Sequence, residues 1–317
     1  GTCSLSANTT ANNNTAVGTC AMLKNTTGST NVAVGYLSLC NNLTGAENTA
    51  LGHGTLRNNT AGCNTAVGND VLNANSSGAN NTGVGRCALG VNTTGSSNVA
   101  MGYNSMLTNT TGGNNVAVGV LALEMNTEGT GNTAIGREAL EANTTADNNT
   151  AVGLCSLHAN TTGSENTAVG NQALDTNSTG CKNTGMGRNA LFSNTTADYN
   201  SAFGYDSLFS NTTGSNNVAV GSLALDANTT GIDNTAVGSG ALTTATTASE
   251  NTAIGRQSLL LNTTGDFNTA VGSNSLKSNT TGARNVSLGY NALSSNTTAN
   301  NSQAIGYNAL NTNTTGC

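Results

Sequence analysis

Apolar and polar residues recur along this chain with a period of seventeen, and each period reads approximately Asn-Thr-Ala-Val-Gly-x-x-Ala-Leu-x-x-Asn-Thr-Thr-Gly-x-x. We number the positions from the first Asn, and residues that share a position in successive repeats form a column. Column four is always apolar, as at Val17 and Leu51, and column nine is always Leu or Met. The repeat is too short for a helical hairpin and shows no sustained helical period, but two short strands and two turns fit in it. The sequence therefore predicts an all-β fold, a β-solenoid (β-roll) of 17-residue coils with about 18–19 turns, whose core is columns four and nine.

Glycine and asparagine mark the corners of the predicted coil. Column five is Gly in every copy, which predicts a corner that needs a positive φ or a close backbone approach. Columns one and twelve are Asn, with Ser302 and Ala245 as departures, and stacked Asn side chains about 4.8 Å apart can form hydrogen-bonded ladders. Only the copy from Asn48 to Cys63 breaks the period, by one residue. We interpret the repeat as strand, Gly corner, strand and Asn-Thr-Thr-Gly corner.

Column three consists almost entirely of Ala, although a strand face in contact with water should accept polar residues. Period-two alternation places columns two and four on one face of the first strand and column three on the other. Either the cross-section of a flat coil is crowded there, or column three faces another chain. The candidates for such a lateral contact are Ala168, Ala202, Ala219, Ala236, Ala253 and Ala270.

Composition and charge narrow the class of protein. The chain has 36% apolar, 3% aromatic and 8% charged residues with 40 Gly, but its strict period argues against disorder and for one continuous body over 1–317. The net charge of -6 is spread thinly, so we expect no nucleic-acid partner. No apolar run is long enough to cross a bilayer, so we expect no membrane span. The chain begins within a repeat, and we expect a segment of a longer fibrous protein.

Candidate chemistry is sparse. His53 and His158 occupy different columns, and no acid, base or nucleophile recurs at a matching offset, so we expect no enzyme and no catalytic residue. The corners lack the Asp residues of calcium-binding β-rolls, and no helix follows the Gly corner to form a phosphate loop. We therefore expect no metal and no cofactor. Ice binding is a less favoured alternative, because adjacent Thr residues in a corner do not form a flat Thr-x-Thr face.

The eight cysteines fall into few columns. Cys3 and Cys20 share column seven in neighbouring copies, where their separation is within disulfide range, and they are the best candidates for an intrachain bridge. The remaining cysteines could be free thiols or could join neighbouring chains in an extracellular fibre: Cys40, Cys63, Cys87, Cys155, Cys181 and Cys317.

Asn-Thr-Thr is also an acceptor pattern for N-glycosylation. The candidate glycan sites are Asn8, Asn25, Asn92, Asn109, Asn160, Asn194, Asn211, Asn262 and Asn279. One Asn cannot both form a buried ladder and carry a glycan, so the two interpretations are alternatives.

The unit Asn-Thr-Ala-Val-Gly-x-x-Ala-Leu, as at Asn166 to Leu174, resembles the head repeats of trimeric autotransporter adhesins and the repeat arrays of some phage and virus tail fibres. This resemblance covers the whole chain and implies a left-handed β-roll, commonly with three chains side by side, displayed outside a cell or virion. The insertion of Asn-Thr-Thr-Gly, which lengthens the repeat, departs from that pattern.

Together, the repeat and the resemblance predict a structural, non-enzymatic rod of an extracellular filament, surface fibre or adhesin stalk that assembles with itself through lateral or end-to-end contacts. The main alternative is an adhesin or tail fibre that binds a cell-surface receptor or glycan. Such an adhesin predicts aromatic or charged clusters at one end, whereas the tyrosines of column six recur singly.

Overall fold

The computed structural model of the protein describes residues 1–316, and its contacts divide the chain into two compact units, Gly1–Thr162 and Gly163–Cys317. Nine strands of three residues lie in each unit, and no helix is present in the described part of the chain. The all-β class and the β-solenoid coil are confirmed. The prediction of one uninterrupted body over 1–317 stays a prediction.

The strands are the second, third and fourth residues of each repeat. In the first unit they are β1 (Thr15–Val17), β2 (Val32–Val34), β3 (Thr49–Leu51), β4 (Thr65–Val67), β5 (Thr82–Val84), β6 (Val99–Met101), β7 (Val116–Val118), β8 (Thr133–Ile135) and β9 (Thr150–Val152). In the second unit they are β10 (Thr167–Val169), β11 (Thr184–Met186), β12 (Ser201–Phe203), β13 (Val218–Val220), β14 (Thr235–Val237), β15 (Thr252–Ile254), β16 (Thr269–Val271), β17 (Val286–Leu288) and β18 (Gln303–Ile305).

Successive strands within each unit pair in parallel, and the register joins equivalent residues of neighbouring repeats. Ala134 pairs with Ala151 in the first unit, and Ala219 pairs with Ala236 in the second. This register stacks identical columns on one another, which is why a sequence period becomes a spatial period.

The prediction of a second strand in each coil is wrong. After the Gly corner the chain turns, and columns seven and nine both have a left-handed backbone, as at Cys20 with φ 57° and Met22 with φ 50°. Backbone N–H groups here alternate between the two neighbouring coils: Leu37 N–H donates to the Thr19 carbonyl, and Leu39 N–H donates to the Thr55 carbonyl. The turn therefore keeps its backbone hydrogen bonds without extended geometry.

The core consists of columns three, eight and nine, so one of the two predicted core columns is wrong. In the coil that contains β14, Ala236, Ala241 and Leu242 are all fully buried. Column four faces solvent instead, with exposed fractions of 56% at Val17 and 47% at Leu51. The cross-section is narrow, and one Leu beside two small residues fills it, so the Ala side of the strand points inward.

The predicted lateral contact through column three is therefore also wrong. All six candidates are fully buried within the chain: Ala168, Ala202, Ala219, Ala236, Ala253 and Ala270. Their small size is explained by the crowded cross-section, which was the other interpretation of this column.

Both physical reasons for glycine in column five apply together. The φ of these glycines is positive, reaching 142° at Gly119. A Cβ atom placed on Gly119 would lie 2.3 Å from the carbonyl oxygen of Gly136 in the next coil. Any other residue would be strained in its own backbone and would collide with its neighbour.

The predicted asparagine ladders are confirmed in both columns. In column twelve, Asn126 Nδ2 donates to Asn109 Oδ1 at 2.7 Å and to the Gly129 carbonyl of its own corner at 3.0 Å. In column one, the Asn132 backbone N–H donates to Asn115 Oδ1 at 2.8 Å. Since these side chains are fully buried, the ladders satisfy polar groups that water does not reach.

The column-twelve ladder is interrupted at two places, and each leaves a buried oxygen without a hydrogen-bond partner. Ala245 replaces Asn in the second unit, and Asn228 Oδ1 in the coil before it lacks a donor. In the short copy of the first unit, Asn59 Nδ2 donates to the Ala61 carbonyl at 2.7 Å, and Asn42 Oδ1 in the preceding coil lacks a donor.

The residue missing from the short copy belongs to the Asn-Thr-Thr-Gly corner, which shifts one cysteine to a different column. Cys63 has φ 59° and its N–H donates to the Ala46 carbonyl, as column-seventeen residues such as Ser97 do with Ala79. Cys63 therefore lies in column seventeen, not in column sixteen as counting from Asn48 suggests.

Candidate functional site

One distinctive surface of each unit is the outward side of its parallel sheet, formed by columns two and four, which we call the strand face. Column four contributes an apolar side chain in every described strand, some exposed and some half-buried, with exposed fractions of 41% at Ile135 and 38% at Phe203. Column two contributes Thr or Val beside them, except at Ser201 and Gln303. No charged residue occupies either column in the described strands. Because the strands stack about 4.8 Å apart, column four forms a regular apolar stripe on the strand face, beside a row of mostly Thr and Val in column two.

Column six borders the strand face with aromatic and cationic side chains that interact from coil to coil. The Tyr290 and Tyr307 rings stack with centroids 5.4 Å apart, and the Arg86 guanidinium lies 5.8 Å from the centroid of the Tyr103 ring. Such contacts are distributed along both units. A receptor-binding adhesin would instead have these contacts clustered at one end.

The two histidines lie in unlike surroundings within the first unit. The ring of His53 stacks on Tyr36 with centroids 5.4 Å apart, and His53 Nδ1 lies 3.6 Å from Asp70 Oδ1. His158 Nε2 lies 3.2 Å from Glu141 Oε2, and Glu138 completes a group of three possible metal ligands. Sequence reasoning missed this group because it looked for chemistry that recurs in a column, and the group occurs in one pair of coils.

Within this group, Glu138 accepts hydrogen bonds from two neighbouring side chains. Arg137 Nη2 donates to Glu138 Oε1 at 2.6 Å, and the Cys155 thiol donates to Glu138 Oε2 at 3.3 Å. These hydrogen bonds, that of Arg137 first, hold the pKa of the Glu138 carboxyl below its ordinary value.

The predicted bridge between Cys3 and Cys20 is not formed, and residues 1–316 contain no disulfide. Stacked equivalent residues point in the same direction, so their Cβ atoms stay about 4.8 Å apart, beyond the usual spacing in a disulfide. Cys40 is buried, and this burial, followed by the nearby Cys20, raises the pKa of its thiol. Cys317 lies outside the described residues.

Eight of the nine candidate glycan sites are fully buried in the column-twelve ladder: Asn25, Asn92, Asn109, Asn160, Asn194, Asn211, Asn262 and Asn279. A glycan cannot reach a buried Nδ2 atom while the coil is folded, so the ladder interpretation applies to these residues. Asn8 is exposed, and its glycosylation stays a prediction.

The threonines of the corner contribute to the backbone ladder. Thr110 Oγ1 donates to the Thr127 carbonyl at 2.9 Å, and Thr93 Oγ1 donates to the Thr110 carbonyl at 2.9 Å. These column-thirteen hydroxyls therefore bind the neighbouring coil and are not presented as a free array to ice.

Comparison of the chain with protein-family models, with curated proteins and with solved structures finds no match. Within residues 1–316, no helix has the length and apolar character needed to cross a membrane.

Proposed function

We propose that this protein is a structural, non-enzymatic element that associates with further copies of itself through the strand face and serves in an extracellular filament, surface fibre or adhesin stalk. The supporting observation is the apolar stripe of column four, whose side chains are exposed or half-buried in both units although the interior of each coil is already filled. Monomeric proteins seldom expose long contiguous apolar surfaces, and such surfaces commonly mark interfaces.

A second copy is the partner whose surface best fits this stripe. Each unit repeats its column-four side chains at a constant strand spacing, so two strand faces share one period and can interlock along their length. Neither column carries charge, so the contact desolvates no ion. Burial of apolar area contributes about 25 cal/mol per Å², and a long stripe accumulates this gain over many coils.

The proposal is tested by placing charge on the strand face of both units. We expect Ile135→Lys combined with Phe203→Lys to convert assembled protein into monomer, because the interface would then bury unpaired ammonium groups. The matched control is Thr111→Lys combined with Thr264→Lys, which adds the same charge at exposed corner positions. Sedimentation velocity and negative-stain electron microscopy report assembly, and circular dichroism verifies the fold.

Two outcomes would contradict the proposal. The first is a wild-type chain that is monomeric at high concentration, and the second is a strand-face variant that assembles as the control does. Thermal hysteresis of the wild-type solution, removed by the strand-face variant, would assign the same surface to ice binding instead.

A further inference from the structure

Two consecutive coils of the first unit place four metal-binding residue types at the corners of a small rectangle. Glu138 and Cys155 stack in column seven, and Glu141 and His158 stack in column ten. The spacing is therefore Glu-x-x-Glu in one coil and Cys-x-x-His in the next. Both coils lie within Gly1–Thr162.

The donor atoms converge. His158 Nε2 lies 3.2 Å from Glu141 Oε2, and Cys155 Sγ lies 3.3 Å from Glu138 Oε2. One ligand atom each from Glu138, Glu141 and His158 lie within 4.8 Å of one another. Donors of a tetrahedral ion with bonds of about 2.0–2.3 Å are separated by about 3.3–3.8 Å, so the ligand atoms of Glu138, Glu141 and His158 have to approach one another by about 1.5 Å at most. Cys155 Sγ contacts the Glu138 carboxylate at the edge of this group of three.

The backbone holds the two coils in a fixed relation. Cys155 N–H donates to the Arg137 carbonyl at 3.1 Å, and Leu140 N–H donates to the Ser156 carbonyl at 3.0 Å. The side chain of Arg137 holds Oε1 of Glu138, so Oε2 of the same carboxylate faces the group. Second partners of this kind orient ligating carboxylates in metal sites.

We propose that Glu138, Glu141 and His158, with Cys155 as a fourth donor, bind one divalent transition-metal ion of the zinc class. An imidazole and a thiol favour Zn²⁺ or Co²⁺ over Mg²⁺ and Ca²⁺, which prefer sites made of oxygen ligands alone. The cation offsets the repulsion between the two carboxylates, and coordination by sulfur releases the thiol proton of Cys155 to solvent. All four side chains are only partly buried, so an ion can reach them from solvent. This site is independent of the strand face, and it does not depend on the proposed self-association.

The test titrates chelator-treated protein with Co²⁺ and then displaces the Co²⁺ with Zn²⁺. We expect one Co²⁺ per chain, visible absorption bands of a tetrahedral ion, and a thiolate-to-metal charge-transfer band that Cys155→Ser removes. His158→Gln and Glu141→Gln are each expected to weaken binding at least tenfold. The matched control is His53→Gln, which removes a histidine that pairs with the single carboxylate of Asp70 and should leave binding unchanged.

We expect the variants to fold without metal, because the substituted side chains are only partly buried. Hydrogen exchange of the metal-free variants verifies that the coils remain folded. Three results would overturn the proposal: no Co²⁺ bound by the wild-type chain, equal affinity in His158→Gln and in the wild type, or binding of Mg²⁺ as tight as that of Zn²⁺. Retention of tetrahedral bands by Cys155→Ser without the charge-transfer band supports sulfur as a ligand. An unchanged charge-transfer band in that variant would exclude it.

Discussion

Substitution of Ala245 by Asn should repair the interrupted column-twelve ladder of the second unit and stabilise the coils around it. Asn228 Nδ2 donates to Asn211 Oδ1 at 2.8 Å, but Asn228 Oδ1 has no hydrogen-bond partner because Ala245 follows it in the column. On the other side of the gap, Asn262 Nδ2 donates to the Gly265 carbonyl at 2.8 Å and faces a methyl group where other coils present an amide oxygen.

The expected gain follows from the groups that acquire partners. A buried polar atom without a partner costs about 1–3 kcal/mol, and each new hydrogen bond contributes about 0.5–1.5 kcal/mol net. Ordering the new side chain costs up to about 1 kcal/mol. Since fully buried Asn occupies the equivalent place in neighbouring coils, such as Asn228, the fold can accommodate the amide, and we expect a net stabilisation of about 1–3 kcal/mol.

Native-state hydrogen exchange is the suitable assay, because a long repeat array need not unfold in one step and local opening reports the stability of a few coils. Amide exchange in the coils spanning 228–262 should slow by roughly five- to hundredfold. Ala245→Leu is the control, because its side chain branches as that of Asn does but has no hydrogen-bonding groups, and it should accelerate exchange. If Ala245→Asn exchanges at the wild-type rate, or as fast as Ala245→Leu, the ladder does not contribute the free energy assigned to it.

Three further predictions concern the second unit. Gly289→Ala should destabilise this unit far more than Gly306→Ala does in urea titrations. A Cβ on Gly289 would lie 2.5 Å from the Gly306 carbonyl oxygen, whereas a Cβ on Gly306 would have its nearest neighbour at 3.9 Å. Equal effects would show that the strain of the positive φ alone determines the loss of stability. Ala236→Val should cost about 1–3 kcal/mol by overpacking the core, and a variant as stable as the wild type in the same titration would place column three outside it. Burial, followed by the nearby Asp206, raises the pKa of Asp226 above 3.8 in the folded chain, so the fold loses stability as the pH rises through that raised pKa. Asp226→Asn should therefore raise the melting temperature at pH 7 but not at about pH 3. A difference between Asp226→Asn and the wild type that stays constant with pH would contradict this.

The sequence predicts the coil, its parallel register and its asparagine ladders because each depends on one requirement repeated in every copy. Gly119 has an equivalent in every copy and Asn126 has one in every copy except that of Ala245, and a fixed requirement at a fixed offset is visible without structural information. The same reasoning located column nine in the core correctly from Met22 to Leu293, while Leu5 and Leu310 in the first and last coils are less buried.

The inward side of the strand could not be predicted from alternation alone. Period two establishes that columns two and four share a face, but it does not say which face is inside, and ordinary hydrophobicity favours Val169 over Ala168 as the buried residue. Volume decides otherwise in a coil this narrow, where Ala168 is fully buried and Val169 is only partly so. The second strand was predicted wrongly because residues such as Glu138 and Cys155 in column seven carry no sequence signal of their left-handed backbone.

Column four itself provides the remaining argument for a partner. Its residues include Val, Ile, Leu, Met and Phe, so its own coil does not fix their shape, whereas inward column nine admits only Leu and Met. Strand propensity does not explain the restriction either, because Thr has high propensity, is common in column two on the same face, and is absent from column four in all described strands. Water would accept Thr, Ser or Lys at positions as exposed as Ile254, at 40%. A column that admits several apolar shapes but no polar group is the pattern that the proposed interface with a second copy predicts.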